Sequence, residues 1–346
     1  MSRHHPVLQL ILANIRGYFR EPEAIFWTYG FPLLMVVGLG IAFDSSTQQP
    51  ISVDVIQGPG AQRILQVLRD DGSFLVRGAT EAEALQRLRR NKTQIVARLD
   101  PGGGYRYYFD PSNPDSRVAR TRLDDVLQRA AGRQDPLPVE DRVQTVPGSR
   151  YVDFLVPGLI GMNLMGGGMW GVGFMLVDMR IKKLLKRMLG TPMKRPQLLL
   201  ATIGTRAVFF IPEVFVLLFA AHWIFGVPIQ GRVVDIVAVA LIGCLSFAGL
   251  GLLAGSRARR IESVTGILNL TMLPMWLCSG VFFSAERFPA AMQPFVQALP
   301  LTQLINALRA VILEGYGLPS QALPLLILAA WGGVSFLLAL KLFRWN

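Results

Sequence analysis

Cysteine is almost absent from the 346 residues: only Cys244 and Cys278 occur, both inside long apolar runs, so no disulfide framework and no Cys-x-x-Cys motif exists. Histidine is nearly as scarce, and His4, His5 and His222 lack the spacing of metal ligands. No Gly-x-x-x-x-Gly-Lys-Ser/Thr occurs, which excludes a P-loop that would hold ATP in this chain. Charge is thin too, 17% of residues against 51% hydrophobic, with a mean hydropathy of +0.39, and this composition excludes an ordinary soluble protein of such length. What charge there is leans positive: 35 Lys+Arg against 23 Asp+Glu give +12. Such an excess serves nucleic acid, anionic lipid or cytoplasmic loops, and its placement decides among them.

What is present in abundance is long apolar runs. They cover Phe26 to Phe43, Phe154 to Val177, Ile236 to Ser256, Ser263 to Ala285 and Tyr316 to Leu340; one more, Leu198 to Gly226, is broken only by Arg206 and Glu213. Crossing a hydrocarbon core takes about 20 such residues in a helix. Six transmembrane helices are therefore predicted, the last starting near Gln321 because Pro319 and Pro324 interrupt its run. The first run is too long for a secretory leader, and its exit, Asp44-Ser45-Ser46-Thr47-Gln48, has no small-residue cleavage site, so a retained anchor is expected.

Lysine and arginine near span ends resist translocation. Arg180, Lys182, Lys183, Lys186, Arg187, Lys194 and Arg195 crowd the connection between spans two and three, Arg257, Arg259 and Arg260 the one between four and five, and Lys341 and Arg344 follow the last span. The alternate connections hold only Arg232 or Arg287 and Arg309. Both termini are expected in the cytoplasm of a bacterial inner-membrane protein, with the insert after span one outside.

That insert alternates strand and helix patterns. Strands are predicted at Ile51 to Ile56, Phe74 to Arg77, Gln94 to Leu99 and Tyr105 to Phe109, and helices at Ala61 to Arg69, Glu81 to Arg90 and Ser112 to Arg133. Its charges are mixed in sign, a solvated surface rather than a nucleic-acid patch, and Gly102-Gly103-Gly104 precedes a strand rather than a helix, so it makes no phosphate cradle. The predicted fold is an α-helical polytopic membrane protein of six spans with a small α/β extracytoplasmic domain between spans one and two. Its expected divisions are an interfacial helix at 1–24, the first span at 25–44, the α/β domain at 45–151 and a five-helix region at 152–346. The last carries a cytoplasmic loop at 178–197 and an outer hairpin at 279–300.

No catalytic constellation stands out, but four features ask for a role. In Arg180 to Arg195, Ile181, Leu184, Leu185, Met188 and Leu189 recur at helical spacing among basic residues until Gly190 and Pro192. Such a helix either lies on anionic lipid or enters a groove on a cytoplasmic partner. Pro6 to Arg20 is similar, with Leu8, Leu12 and Ile15 on one face beside Arg16, as expected for a helix along the inner surface. Glu213, behind Pro212 in span three, is a substrate contact, a proton relay or a carboxylate paired with Arg206 seven residues earlier; Arg206 itself lies near enough the membrane edge to snorkel. Glycines at 166–168, 171 and 173 and at 249, 251 and 255 read as helix-packing devices. Between spans five and six, Ser279, Gly280, Phe283, Phe288 and Pro289 lie in a stretch too broken for a straight helix and too apolar for a free loop. A re-entrant or interfacial hairpin fits it.

In their order, Phe19-Arg20-Glu21-Pro22-Glu23 running into Phe31-Pro32, Tyr151-Val152-Asp153-Phe154-Leu155-Val156-Pro157-Gly158, Lys186 to Pro192, Ser279-Gly280 to Phe288-Pro289, Leu299-Pro300-Leu301-Thr302 and Leu308-Arg309 resemble an ABC transporter type-2 permease with one large external domain after its first span. The resemblance covers essentially the whole chain. It implies the membrane-spanning half of an ATP-driven exporter of amphipathic or lipid-like molecules, working as a dimer of permeases, each docked on a cytoplasmic ATPase subunit that binds ATP and Mg. This chain would bind no cofactor or metal itself. By that resemblance Lys183, Leu184, Leu185, Lys186, Arg187, Met188, Leu189 and Thr191 form a coupling helix, Val7 to Arg20 an interfacial helix, and Ser279 to Pro300 the element closing the path outward. The chain departs from the family at Leu299, where Asn is frequent before the proline.

Overall fold

The computed structural model describes residues 6–42, 50–100, 104–134, 137, 148, 150–184, 187 and 195–342. They fall into two compact units, Met1–Ser45 with Thr145–Asn346, and Ser46–Gln144.

The first unit is helical. After α1 (Pro6–Tyr18) and α2 (Phe26–Ala42), five helices are long and apolar enough to cross a membrane among the described residues. These lie at Tyr151–Ile181, Leu200–Phe225, Val233–Gly255, Ile261–Cys278 and Leu318–Leu342. Helix α2 is apolar but shorter, and the pair Ala290–Ala298 and Pro300–Ile312 bends by 85°. The protein is a polytopic membrane protein whose apolar surface requires lipid as solvent: Leu270, Leu323, Leu326 and Leu337, on the fourth and fifth of these helices, are all at least 60% exposed. In water such a patch would drive aggregation.

Two helices contain a wide π turn, Phe26–Gly30 in α2 and Gly167–Gly171 in the helix Tyr151–Ile181. A π turn disturbs the i to i−4 ladder and leaves a main-chain group for another partner. The Thr28 carbonyl illustrates this by accepting from Asn163 Nδ2 at 3.2 Å. The second turn packs on the helix Val233–Gly255: a Cβ on Gly251 would stand 2.7 Å from the Gly168 oxygen, so the close approach depends on glycine. That central helix buries Ile236, Val239, Ala240, Cys244, Phe247 and Leu252 completely.

The second unit is a four-stranded sheet of order β2-β1-β3-β4, with β1 (Ile51–Ile56), β2 (Phe74–Ala79), β3 (Ile95–Leu99) and β4 (Tyr105–Tyr108). Strand β1 pairs in parallel with β2 and β3, and β4 closes antiparallel on β3. The chain crosses from β1 to β2 in one direction and from β2 to β3 in the other, so crossovers of one hand put their helices on opposite faces. Ala61–Asp71 and Pro114–Ala130 accordingly cover Val53 and Val55, while Glu81–Arg89 covers Ile56 and Val96. Strand β2 runs to Ala79, beyond the predicted Arg77, because its last two residues pair with Val55 and Ile56. The third helix begins at Pro114 rather than Ser112, where Asn113 accepts from the Asp115 amide at 3.0 Å.

Candidate functional site

From here α3, α4 and α5 denote Ala61–Asp71, Glu81–Arg89 and Pro114–Ala130, and α6 to α9 denote Tyr151–Ile181, Arg195–Phe225, Val233–Gly255 and Ile261–Cys278. The bent pair consists of α10 (Gln293–Ala298) and α11 (Pro300–Ile312), and the last helix is α12 (Ala322–Leu342).

At the Ile181 end of the bundle, Arg180 holds the end of the central helix. Its Nη1 donates to the Gly255 oxygen at 3.0 Å and to the Ala258 oxygen, and its Nη2 donates to the Ser256 oxygen at 2.9 Å. The last carbonyls of a helix lack intrahelical donors and carry partial negative charge, which suits a guanidinium. Lys182 pairs with Asp178 at 2.8 Å, Lys183 takes a positive φ of 55°, and Leu184 packs with Leu10 and Ile203 against Leu176 and Leu252. The structure thus brings α1 and the start of the basic segment onto one apolar cluster. Arg187 is exposed; Leu185, Lys186, Met188, Leu189 and Thr191 lie outside the described residues.

Helix α1 turns Ile11, Asn14 and Tyr18 to α7, through Asn14 Nδ2 on Thr205 Oγ1 at 3.2 Å and a Tyr18–Phe209 ring distance of 4.2 Å. Leu8, Leu12 and Arg16 are exposed, with Ile15 at the edge. A polar Asn14 on the packed face is a contact that a hydrophobic-stripe reading passes over.

In the interior, Arg206 Nη2 meets Glu213 Oε2 at 2.6 Å, with side chains 9% and 1% exposed. Arg206 therefore does not snorkel. Its guanidinium turns inward along α7, into space that exists because Gly167 has no Cβ; a methyl there would overlap the guanidinium. Pro212 has no N–H to continue the helical ladder, so the pair bridges the two sides of that break.

At the Tyr151 end, the stretch from Ser279 to Ile312 folds as a bent hairpin. Gly280 takes φ +81°, a left-handed conformation suited to glycine, and the 3-10 turns Ala285–Arg287 and Ala290–Met292 lead into α10. Its irregular main chain is tolerated because side chains serve its carbonyls. Tyr151 Oη donates to Phe282 at 3.0 Å, Gln293 Nε2 to Ala285 and Phe288 at 3.0 Å each, and Trp331 Nε1 to Ala298 at 2.9 Å. Ser279 and Gly280 are buried, the Phe283 and Phe288 rings lie 5.9 Å apart, and Pro289 is exposed. The element does not stop at Pro300: α11 is its second arm, with Leu301, Leu304, Ile305, Leu308, Val311 and Ile312 wholly buried. Proline at the first helical position, followed by an amphipathic stretch, is the signal that marks this arm. Leu299, at its N-cap, makes no side-chain cap.

Among the described residues no group of three or more His, Cys, Asp or Glu is placed to hold a metal. The features fall at three levels of the bundle: the Arg180 clamp at one end, the ion pair inside, and the hairpin at the other end. A family model described as ABC-2 family transporter protein matches residues 22–341.

The chain belongs to the ABC-2 transporter family.

ABC transporter G family member 20 of Dictyostelium discoideum is 23% identical over 260 residues, 72% of this chain and 35% of that protein. Inner membrane transport permease YhhJ of Escherichia coli K12 is 26% identical over 35% of this chain and 32% of its own length. Linearmycin resistance permease protein LnrN of Bacillus subtilis is 27% identical over 37% of this chain and 33% of its own. The match thus spans about a third of each of these relatives. In this ABC-2 chain the matched region takes in α2, residues 178–197 and the hairpin.

Proposed function

We propose that this chain is the membrane-spanning permease subunit of an ATP-driven exporter, moving an amphipathic or lipid-like molecule, whether drug, lipid or peptide, out across the bacterial cytoplasmic membrane. ATP and Mg are bound by a separate ATPase, and the permease works beside a second copy of itself or a close relative. In this reading the Ile181 end and both termini are cytoplasmic, as the crowding of lysine and arginine there supports, and the α/β unit stands outside.

The observation that carries the reading is the Arg180 clamp. A push delivered to the basic loop at 178–197 reaches the central helix directly, because Arg180 grips the carbonyls of Gly255, Ser256 and Ala258. Close glycine packing between α6 and α8 makes the two helices one stiff body, so a displacement at the loop tilts both instead of being absorbed. At the far end that tilt bears on the hairpin, which α6 holds through Tyr151. Leu184, Leu185, Met188 and Leu189 supply the apolar side of the coupling helix, Lys183, Lys186 and Arg187 its charged rim, and Thr191 its end. Leu8, Leu12 and Ile15 of α1 lie on the inner lipid surface.

A non-transporting sensor or scaffold presenting the α/β unit is one competing reading, and ion-coupled transport through Glu213 is the other. It requires a carboxylate free to load and unload, whereas Arg206 engages Glu213 at 2.6 Å, which favours the exporter. The experiment is co-purification with the ATPase: Leu185→Asp with Met188→Asp is expected to release the ATPase while the permease stays folded and membrane-inserted. Intact co-purification of that variant refutes the coupling assignment.

A further inference from the structure

Arg309 is a cation for which the described residues supply no counter-charge. It lies on α11, between the hairpin and the start of α6, where Nη2 donates to the Gly280 oxygen at 2.5 Å and to the Phe154 oxygen at 3.2 Å. Its Cζ sits 3.6 Å from the centre of the Phe154 ring. Among the described residues it has no carboxylate partner. Asp153, next to Phe154 in the sequence, is taken by Arg150 at 2.9 Å, and Glu286 and Glu314 are exposed. Arg309 Nε is buried with no partner among the described residues. Taking a charge out of water costs several kcal/mol unless an opposite charge accompanies it, and two carbonyl dipoles and a ring face offset only part of that.

Three more buried polar atoms without partners lie on the two arms that Arg309 ties together: Trp276 Nε1 and Ser279 Oγ at the end of α9, and Thr302 Oγ1 on α11. Indole and guanidinium N–H groups can only donate, and the hydroxyls can donate. Unused donors on the elements joined by an uncompensated cation match a ligand that is rich in acceptors and negatively charged. Depth agrees with chemistry. Phe154 is three residues into a helix that starts at Tyr151, about 4.5 Å along its axis, and this 31-residue helix is longer than a hydrocarbon core requires, so its ends reach toward the headgroups. Arg309 keeps some exposure, so a headgroup can reach it.

We propose that the junction of α9, the hairpin and α11 binds an oxyanion headgroup, a phosphate or carboxylate carried by an amphiphile, with Arg309 as its cation and Trp276, Ser279 and Thr302 as further donors. That this amphiphile is cargo rests on the exporter reading; that an oxyanion binds does not.

Native mass spectrometry of the full chain in detergent tests this, with phosphatidylglycerol and uncharged diacylglycerol as paired probes. The native chain is expected to retain phosphatidylglycerol at least about tenfold better than diacylglycerol, Arg309→Gln to lose that preference and Arg309→Lys to keep part of it. Equal retention by the native chain and a folded Arg309→Gln overturns the site. Should Arg309→Gln fail to fold, Ser279→Ala with Thr302→Val leaves the guanidinium in place and is expected to weaken retention about threefold. Unchanged retention in that pair shows that the two hydroxyls take no part in binding and overturns the site as drawn. Displacement of the lipid by inorganic phosphate supports the site and assigns a free anion, while resistance to displacement supports it and assigns an amphiphile. With the ATPase bound, stimulation of ATP hydrolysis by phosphatidylglycerol identifies cargo. Retention without stimulation identifies a resident lipid and upholds the site whatever becomes of the exporter reading.

Discussion

The Arg206–Glu213 pair offers the sharpest perturbation in the bundle. Glu213→Gln preserves shape and removes one charge, leaving a guanidinium that is 9% exposed with no anion beside it. Breaking a buried pair from one side costs about 3–5 kcal/mol, whereas exchanging both partners for apolar residues of similar volume is often neutral or stabilising. Arg206→Met combined with Glu213→Leu should therefore recover most of what either single change loses, giving a coupling energy of about 3 kcal/mol. Gly167→Ala is an independent route to the same state, because its methyl group would overlap the guanidinium and force it off the carboxylate. It should cost nearly as much as Glu213→Gln and add little on top of it. The assay is reversible unfolding of the full chain in mixed micelles across the set of variants. Additivity within about 0.5 kcal/mol would refute the reasoning, since it would mean that the two charges do not depend on one another.

Arg180→Ala removes three charge-assisted hydrogen bonds on a partly exposed side chain, and should cost about 2–4 kcal/mol. It should also lower the amount of cargo moved per ATP while the ATPase stays bound; an unchanged ratio would sink the clamp as a lever. Gly280→Ala puts a side chain at φ +81° and should destabilise the chain by about 1–2 kcal/mol, read as a lower melting temperature in detergent. In the α/β unit, burial and the hydrogen bond to Asp124 raise the Tyr107 phenol above its usual pKa of 10.0. Below pH 10 the group is neutral in both folded and unfolded chains and adds no pH dependence. Above it the unfolded chain ionises first, so stability should fall as pH rises, and Tyr107→Phe should flatten that fall in an alkaline denaturation series.

Much of the architecture is legible in the chain itself because two different solvents select for it. Runs such as Ile236 to Ser256 have no stable place in water, and the alternation in Ile51-Ser52-Val53-Asp54-Val55-Ile56 has the period of a strand; Asp54, on the face that such alternation leaves to water, is instead covered and answered by Arg87 at 2.8 Å. The proline-broken stretch after Ser279 is visible as a hairpin for the same reason, since neither one straight helix nor a wet loop accommodates it. Its second arm is harder to see. Leu301 to Ile312 reads as an ordinary amphipathic helix, and only its packing against α6, α8 and α12 reveals that all its leucines, isoleucines and valine are enclosed. For Arg206 the sequence offers both a snorkel to the membrane edge and a pairing with Glu213, without choosing between them. A side chain near a span end can reach water or a carboxylate, and the choice depended on a glycine some forty positions earlier in the chain, Gly167.

The sequence by itself determined that this is a multi-pass membrane protein with a separate α/β unit and no ATP site of P-loop type, because hydropathy, strand period and motif spacing are local properties of the chain. Tertiary structure alone decided which arginines of the bundle meet carbonyls, as Arg180 and Arg309 do, and which meet carboxylates, as Arg206 does. A long cationic side chain takes the partner that packing sets before it, and packing joins residues whose separation along the chain carries no local signal.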